Sequence, residues 1–357
     1  MGIGKSTIDN IEFNHFDGFY YAGENVTGTI SFHNPEKKLT LTNVSLGFIG
    51  EIGYTGYKIH HSRDSMGNIY TENRVGQYQI PFIHTRIQFT HSKDNENKIT
   101  LKPGQYSWPF EFTLPEDLPP SSSSLTNSYH YIKYYVRISV TQIWHIFKKT
   151  QTSPLTIFPH VNILHMNRYR QVIAVYNRNH LHIKARINHQ SILPDEKISL
   201  DINLNNEKRL RIKGIEAILI QNREIDHNHH AEVIFKNDLP IPEDFMETEF
   251  RENFDLEIPS AQLPPTYDYI ASCSDLLIHT SIAYELNVKI KVHEWHNQID
   301  LIIPIIIGTE STLERSPSNQ ASYGRRSINS AKFSREISVP PIFQSEAEDA
   351  EILEVVL

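Results

Sequence analysis

Apolar residues return at every second position along most of this chain, and that period limits what the chain can fold into. Tyr106, Trp108, Phe110, Phe112 and Leu114 alternate with Ser107, Pro109, Glu111 and Thr113. Successive side chains of a strand point to opposite sides, so this stretch reads as a strand with one buried aromatic face and one wet face. The same alternation runs through Val26, Ile30 and Phe32, through Val44, Leu46 and Phe48, and through Ile132, Tyr134, Val136, Ile138 and Val140. It returns at Leu181–Ile187, at Ile198–Leu204 and at Ile282–Val292. No comparably long stretch follows a helical spacing. One-sided alternation broken by turn residues predicts antiparallel sheets packed as sandwiches. The 17 Tyr, 17 Phe and 19 Pro fit β-structure with punctuated turns.

At 357 residues the chain is long enough for two cores, and its halves resemble each other. Gly23-Glu24-Asn25-Val26 with Ile30 and Phe32 aligns with Asp195-Glu196-Lys197-Ile198 with Ile202 and Leu204. Phe110–Pro115 aligns with Phe254–Pro259, and each is followed by Leu-Pro-Pro, at Leu118-Pro119-Pro120 and Leu263-Pro264-Pro265. Each half then reaches a strand with an inward tyrosine, Tyr134 or Tyr284. A duplicated sandwich explains this shared order. The expected domains are 8–158 and 168–309, with the boundary between Pro159 and Arg168. Residues 310–357, rich in Ser, Asn, Arg and Glu, are expected to form a flexible tail.

The net charge of −8 carries no global footprint of a nucleic-acid binder. Cys273 is the single cysteine, which excludes an internal disulfide and favours the cytosol. The most apolar run, Leu301–Ile307, is interrupted by Pro304 and is far shorter than the ~20 residues a bilayer requires. The N-terminus lacks the apolar stretch of a signal peptide.

Several runs resemble the arrestin superfamily, and more closely its α-arrestin branch. They are Tyr21-Ala22-Gly23-Glu24 with Val26-Thr27-Gly28, Phe48-Ile49-Gly50-Glu51, and Leu101-Lys102-Pro103-Gly104 leading through Trp108–Pro115 to Leu118-Pro119-Pro120-Ser121-Ser122. Ile132-Lys133-Tyr134-Tyr135-Val136, Leu193-Pro194-Asp195-Glu196 and Ile302–Thr309 complete the set, which covers residues 8–309. The resemblance implies an all-β chain of two tandem antiparallel β-sandwiches, immunoglobulin-like, joined by a short linker. It implies no catalysis and no cofactor. It implies an adaptor that binds membrane receptor or transporter tails and links them to ubiquitin ligases or endocytic machinery. Fold alone does not fix function. The alternative is a structural subunit of an endosomal sorting coat, like the retromer component that shares this fold.

Other chemistry is weaker. The chain has no Gly-x-Ser-x-Gly elbow and no His-Glu-x-x-His. Gly2-Ile3-Gly4-Lys5-Ser6-Thr7 imitates the end of a P-loop but lacks the glycine five residues before Gly4. Met1-Gly2-Ile3-Gly4-Lys5-Ser6 also fits the myristoylation pattern at Gly2, against which an unmodified terminus is preferred. Asp226-His227-Asn228-His229-His230 is the best metal candidate. It is read as a solvated loop, because structural zinc wants four fixed ligands and no distant partner is evident. His60-His61, His180 and His182 are read as surface, and His293 and His296 point to opposite faces of a strand. The basic residues Arg168, Arg170, Arg178, Lys184 and Arg186, and Lys208, Arg209, Arg211 and Lys213, are read as a solvated outer sheet face rather than a surface for anionic lipid headgroups.

The resemblance also directs attention to Pro-Pro-x-Tyr, which α-arrestins use to recruit WW-domain ligases. The full match, Pro264-Pro265-Thr266-Tyr267, lies inside the second sandwich and is expected to be a structural turn. The tail offers Pro340-Pro341-Ile342-Phe343, with Phe343 in place of the tyrosine, so weak or absent direct WW binding is expected. Ser338, with Arg335 before it and Pro340 after it, is a candidate phosphosite. Ile352-Leu353 among acidic residues loosely resembles a dileucine sorting signal.

Overall fold

A computed structural model describes residues 7–15, 17–35, 38–63, 66, 69–89, 99–122, 130–142, 145–166, 171–178, 180–242, 245–259, 263–273, 276–293 and 298–311. The chain separates into two compact units, with the main break between Phe158 and Pro159 and the short stretch Ile270–Ile278 grouped with the first. Both are built of strands, as the alternation requires. Among the described residues the one helical segment is a 3-10 turn at Ile163–Met166, and no helix is long and apolar enough to cross a membrane.

In the first unit, β1 (Thr7–Phe13), β2 (Phe19–Tyr21), β3 (Asn25–Asn34), β4 (Leu39–Arg63) and β5 (Ile69–Gln88) are followed by β6 (Ile99–Leu101), β7 (Gly104–Thr113), β8 (Tyr131–Gln142) and β9 (His145–Phe158). One sheet has the order β1-β3-β7, and the other β2-β9-β8-β4-β5, with β6 also paired to β4. Val26, Ile30 and Phe32 from the first sheet and Val44, Leu46, Phe48, Ile132, Tyr134, Val136 and Ile138 from the second are all buried.

The second unit contains β10 (Val172–Arg178), β11 (Leu181–Ile187), β12 (Ser191–Ile192), β13 (Lys197–Asn206) and β14 (Ile212–Ile225). Then come β15 (Asn228–Leu239), β16 (Glu249–Glu257), β17 (Tyr267–Cys273), β18 (Leu276–Val292) and β19 (Ile299–Ile307), of which Ile270–Ile278 groups with the first unit. Its sheets have the orders β10-β11-β13-β16 and β12-β19-β18-β14-β15, with β17 paired to β18. Leu301, Ile303, Ile305 and Ile307 of β19 enter the core while Ile302 is exposed, so the apolar run is an alternating strand after all.

The larger sheets share one strand order, while the smaller sheet has three strands in the first unit and four in the second, and the likeness extends to single hydrogen bonds. At the turn into β3, Glu24 N–H donates to Tyr21 O (3.1 Å), and the Glu24 carboxylate accepts from Tyr21 N–H (2.8 Å). At the turn into β13, Glu196 makes the same two contacts with Leu193, at 3.2 and 2.9 Å. The residue before each glutamate has positive φ, 87° at Gly23 and 70° at Asp195. Glycine enters that region freely, and aspartate is among the side chains that tolerate it. Both β3 and β13 end in a fully buried asparagine, Asn34 or Asn206, whose amide donates to a backbone carbonyl, Lys102 O or Leu210 O.

The aromatic face of β7 lies on one side, as its period predicts, but its depth varies. Phe110 is buried, whereas Tyr106, Trp108 and Phe112 are half-buried. β7 is an edge strand with β3 as its sole sheet partner, which leaves its large rings partly open. Trp108 rests on Phe32 and Phe89, at centroid distances of 5.5 and 6.5 Å. Phe110 sits where Gly28 removes a side chain; a Cβ there would lie 2.5 Å from the ring.

Candidate functional site

Proline lacks a backbone donor, so a Pro-Pro pair between strands must be held by its carbonyls and by its neighbours. In the first unit, Tyr134 O–H donates to Pro119 O (2.6 Å), Ser121 N–H donates to Ile157 O (2.8 Å), and Ser121 Oγ accepts from Ile157 N–H (2.9 Å). The second unit repeats all three. Tyr284 O–H donates to Pro264 O (2.6 Å), Thr266 N–H donates to Ile307 O (2.9 Å), and Thr266 Oγ1 accepts from Ile307 N–H (2.9 Å). Each corner therefore ties an incoming segment to the last strand of its own sandwich.

This corner contains Pro264, Pro265 and Tyr267. Pro265 is buried, Pro264 and Tyr267 are half-buried, and Tyr267 opens β17 with its ring 6.2 Å from that of Tyr269. A WW groove reads an extended proline pair and a free aromatic ring. Here the carbonyl of the first proline, the backbone of Thr266 and the face of Pro265 are already engaged.

Behind the corner lies a polar set that the sequence reading missed. Leu219, Gln221, Arg223 and Ile225 share the inward face of β14, so the alternation carries polar residues into the interior. Gln221 Nε2–H donates to the Tyr284 hydroxyl (2.5 Å), and the Arg223 guanidinium, almost fully buried, donates to Glu232 (2.8 Å). Burial disfavours both ionised forms, holding the Tyr284 phenol far above its ordinary value and lowering Arg223. The signal that could have found this set was parity: Gln221 and Arg223 continue the odd-numbered apolar series of Ile215, Ala217 and Leu219.

The basic residues of β10 and β11 lie on an outer face. Arg186 pairs with Asp201 (2.6 Å), while His180 and His182 lie 3.1 and 3.9 Å from Glu207. Lys184 is exposed, and Arg209 sits in a turn at φ 51°. The histidine-rich segment divides. Asp226 and His227 form the turn between β14 and β15, whereas His229 and His230 already belong to β15 and, being consecutive, face opposite sides. Gly2, Ser338, Pro340, Pro341, Phe343, Ile352 and Leu353 lie outside the described residues, as do Arg168, Arg170 and His296.

Comparison with known families gives two matches. The model described as arrestin (or S-antigen), N-terminal domain, covers residues 10–164. The model described as arrestin (or S-antigen), C-terminal domain, covers residues 177–312. No curated protein matches the chain.

Proposed function

The chain belongs to the arrestin superfamily, with its N- and C-terminal domains both present and in order, and from that premise we propose that it is a non-enzymatic cytosolic adaptor in membrane-protein trafficking. In this reading it is an α-arrestin whose domains span 8–158 and 168–309. It binds receptor or transporter tails at the plasma membrane or endosomes and links them to ubiquitination and endocytosis. The observation that carries the reading is the paired family match, supported by the duplicated corners.

The corner at Pro264–Tyr267 favours a structural role for that Pro-Pro-x-Tyr. Releasing three hydrogen bonds at roughly 1 kcal/mol each lowers the affinity of any WW domain by about 100-fold before burial is counted. Direct ligase capture then falls to Pro340-Pro341-Ile342-Phe343, weakened by the missing hydroxyl of Phe343, and Ser338 is a regulatory phosphosite beside it. A WW domain titrated against the intact protein, the 335–345 peptide and its Phe343→Tyr variant tests this. Weak binding by the peptide, strengthened in the variant, is expected. Tight binding by the intact protein that disappears in folded Tyr267→Ala refutes it. Affinity purification with and without residues 312–357 tests the adaptor itself. Sub-stoichiometric membrane cargo and ligases support it, and one constant stoichiometric complex would replace it with a coat subunit.

A further inference from the structure

An antiparallel sheet with one face on a core normally turns polar residues to water on the other. The larger sheet of the second unit departs from this. Its inward set includes Ala217, Leu219, Leu286, Val288, Leu301 and Ile303, so the alternate residues make the outer face. Strand pairing arranges them in rows: Val233, Ile220, Glu285 and Pro304, then Lys236, Ile218, Asn287 and Ile302. Ile218 is buried and Ile220 half-buried, while Ile302 and Val233 are 54% and 58% exposed and Pro304 is exposed as well. Apolar residues therefore occupy both faces of β14, where Glu216 is the one charge in Ile215–Ile220, and of β19 over Leu301–Ile307. That is the pattern of strands covered on both sides.

The first unit supplies the comparison. With Tyr134 matched to Tyr284, the register sets Arg86, Gly47, Arg137 and Thr152 in the row where the second unit has Lys236, Ile218, Asn287 and Ile302. One strand order thus carries a polar outer row in one unit and an apolar one in the other, so the fold itself does not call for the apolar residues. Strand spacing and rise make the apolar patch about 20 Å on a side, roughly 400 Å². A stable interface between two copies takes about 800 Å² from each. The patch is too small for a second copy and suits a short segment.

The chain carries such a segment beyond the described residues. Ser345-Glu346-Ala347-Glu348 fits a capping box, serine followed three residues later by glutamate, and Asp349 adds charge to the first turn. Behind it Ala350, Leu353 and Leu357 recur at i, i+3 and i+7, with Ile352 and Val356 beside them at i and i+4, while Glu348, Glu351 and Glu354 fall opposite. The spacing predicts an amphipathic helix over 346–357, about 18 Å long. A lone helix of that length is marginal in water, and this one has an apolar stripe to bury. We propose that the helix of residues 346–357 packs on the outer face of the larger sheet of the second unit, with Leu353 and Leu357 over Ile218 and Ile302. Asp349 lies on the same side of the helix, and Lys236 and Lys289 border the apolar rows to meet it. The connection is short: β19 carries Ile302 and ends at Ile307, and residues 312–344, as flexible chain, span ~30 Å. Tethering on that scale gives a roughly millimolar effective concentration, so a contact too weak to hold a free peptide stays populated. Docking covers Ile352 and Leu353. The inference stands apart from the trafficking reading and can fail without it.

Hydrogen exchange of the full chain, read by mass spectrometry, tests the contact. Amides of 346–357 are expected to exchange about tenfold more slowly than an unstructured chain, the protection of a helix docked roughly nine-tenths of the time. Leu353→Glu, which alters only the tail, and Ile302→Glu, at an exposed position of the sheet, are each expected to remove that protection. Ile302→Glu should keep the calorimetric transition of the second unit, so that its effect reads docking rather than folding. Ile173→Glu, at an exposed residue of β10 in the smaller sheet, leaves the protection unchanged. Exchange of 346–357 at the unstructured rate in the wild type overturns the proposal, and so does protection that survives Ile302→Glu. Protection that fades on dilution assigns the helix to the face of a second copy and overturns docking within one chain.

Discussion

Replacing Tyr284 by phenylalanine removes one oxygen and leaves the ring in place, which isolates what the second corner is worth. The hydroxyl donates to Pro264 O and accepts from Gln221 Nε2–H. Gln221 then loses a bond in surroundings closed to water, and half-buried Pro264 loses one at its carbonyl. A stranded buried polar group costs about 1–3 kcal/mol, so the pair together should cost about 2–4 kcal/mol. For a unit of this size each kcal/mol is worth roughly 2–4 °C, which places the shift at about 5–15 °C. Differential scanning calorimetry of the full chain should show that drop in the transition of the second unit, the compact unit that holds Tyr284. Tyr134→Phe should lower the other transition, and the double variant should be additive. The same Tyr284→Phe protein should capture a WW domain better than wild type, since Pro264 O is no longer held. A loss below ~0.5 kcal/mol with unchanged WW capture would refute the claim that this hydroxyl closes the corner.

Three further perturbations separate other parts of the fold. Phe110→Ala should cost about 3–5 kcal/mol, whereas half-buried Trp108→Ala should cost less; urea midpoints of the first transition give the order. Gly308→Ala places a Cβ 2.1 Å from Ile163 Cγ2 and 2.8 Å from Val161 O; the backbone cannot yield freely, so the second transition should fall by about 1–3 kcal/mol. Glu216 is buried between Lys291 and Lys236, and the Lys291 contact chiefly holds its carboxyl below the usual glutamate range. Its contribution is therefore fully present above the unfolded value, ~4.3, and is lost as pH falls through the depressed folded value. Glu216→Gln should flatten that acid limb of the second unit's stability curve and lower its stability at neutral pH.

The sandwich fold was legible because burial writes itself into parity. Val26, Ile30, Phe32 and their counterparts Ile198, Ile202 and Leu204 needed no knowledge of partners. The repeat was legible for the same reason, down to the inward tyrosines. What escaped was everything set by cross-strand register. Gly47, Arg86 and Arg137 are scattered over about 90 positions, and only pairing brings them into one row. The depth of Trp108 depended on β7 being an edge, which local alternation does not encode. Gln221 and Arg223 were missed because a polar residue at an inward position looks, in sequence alone, like the end of a strand. The Pro-Pro-x-Tyr match was readable as a turn from its place in the repeat, but its three hydrogen bonds required Tyr284 and Ile307, which lie far along the chain.

The corners also set an order on synthesis. In each unit the Pro-Pro segment is tied to the last strand, at Ile157 and at Ile307, and a short early strand lies parallel to that same strand, β2 on β9 and β12 on β19. Neither sandwich can close until its final strand has left the ribosome. The two closing strands end 149 residues apart, at Phe158 and Ile307, an interval of about 7–30 s at ~5–20 residues per second. During that time the finished first sandwich must remain soluble beside a growing second one, whose β-rich segments have their sheet partners still unmade.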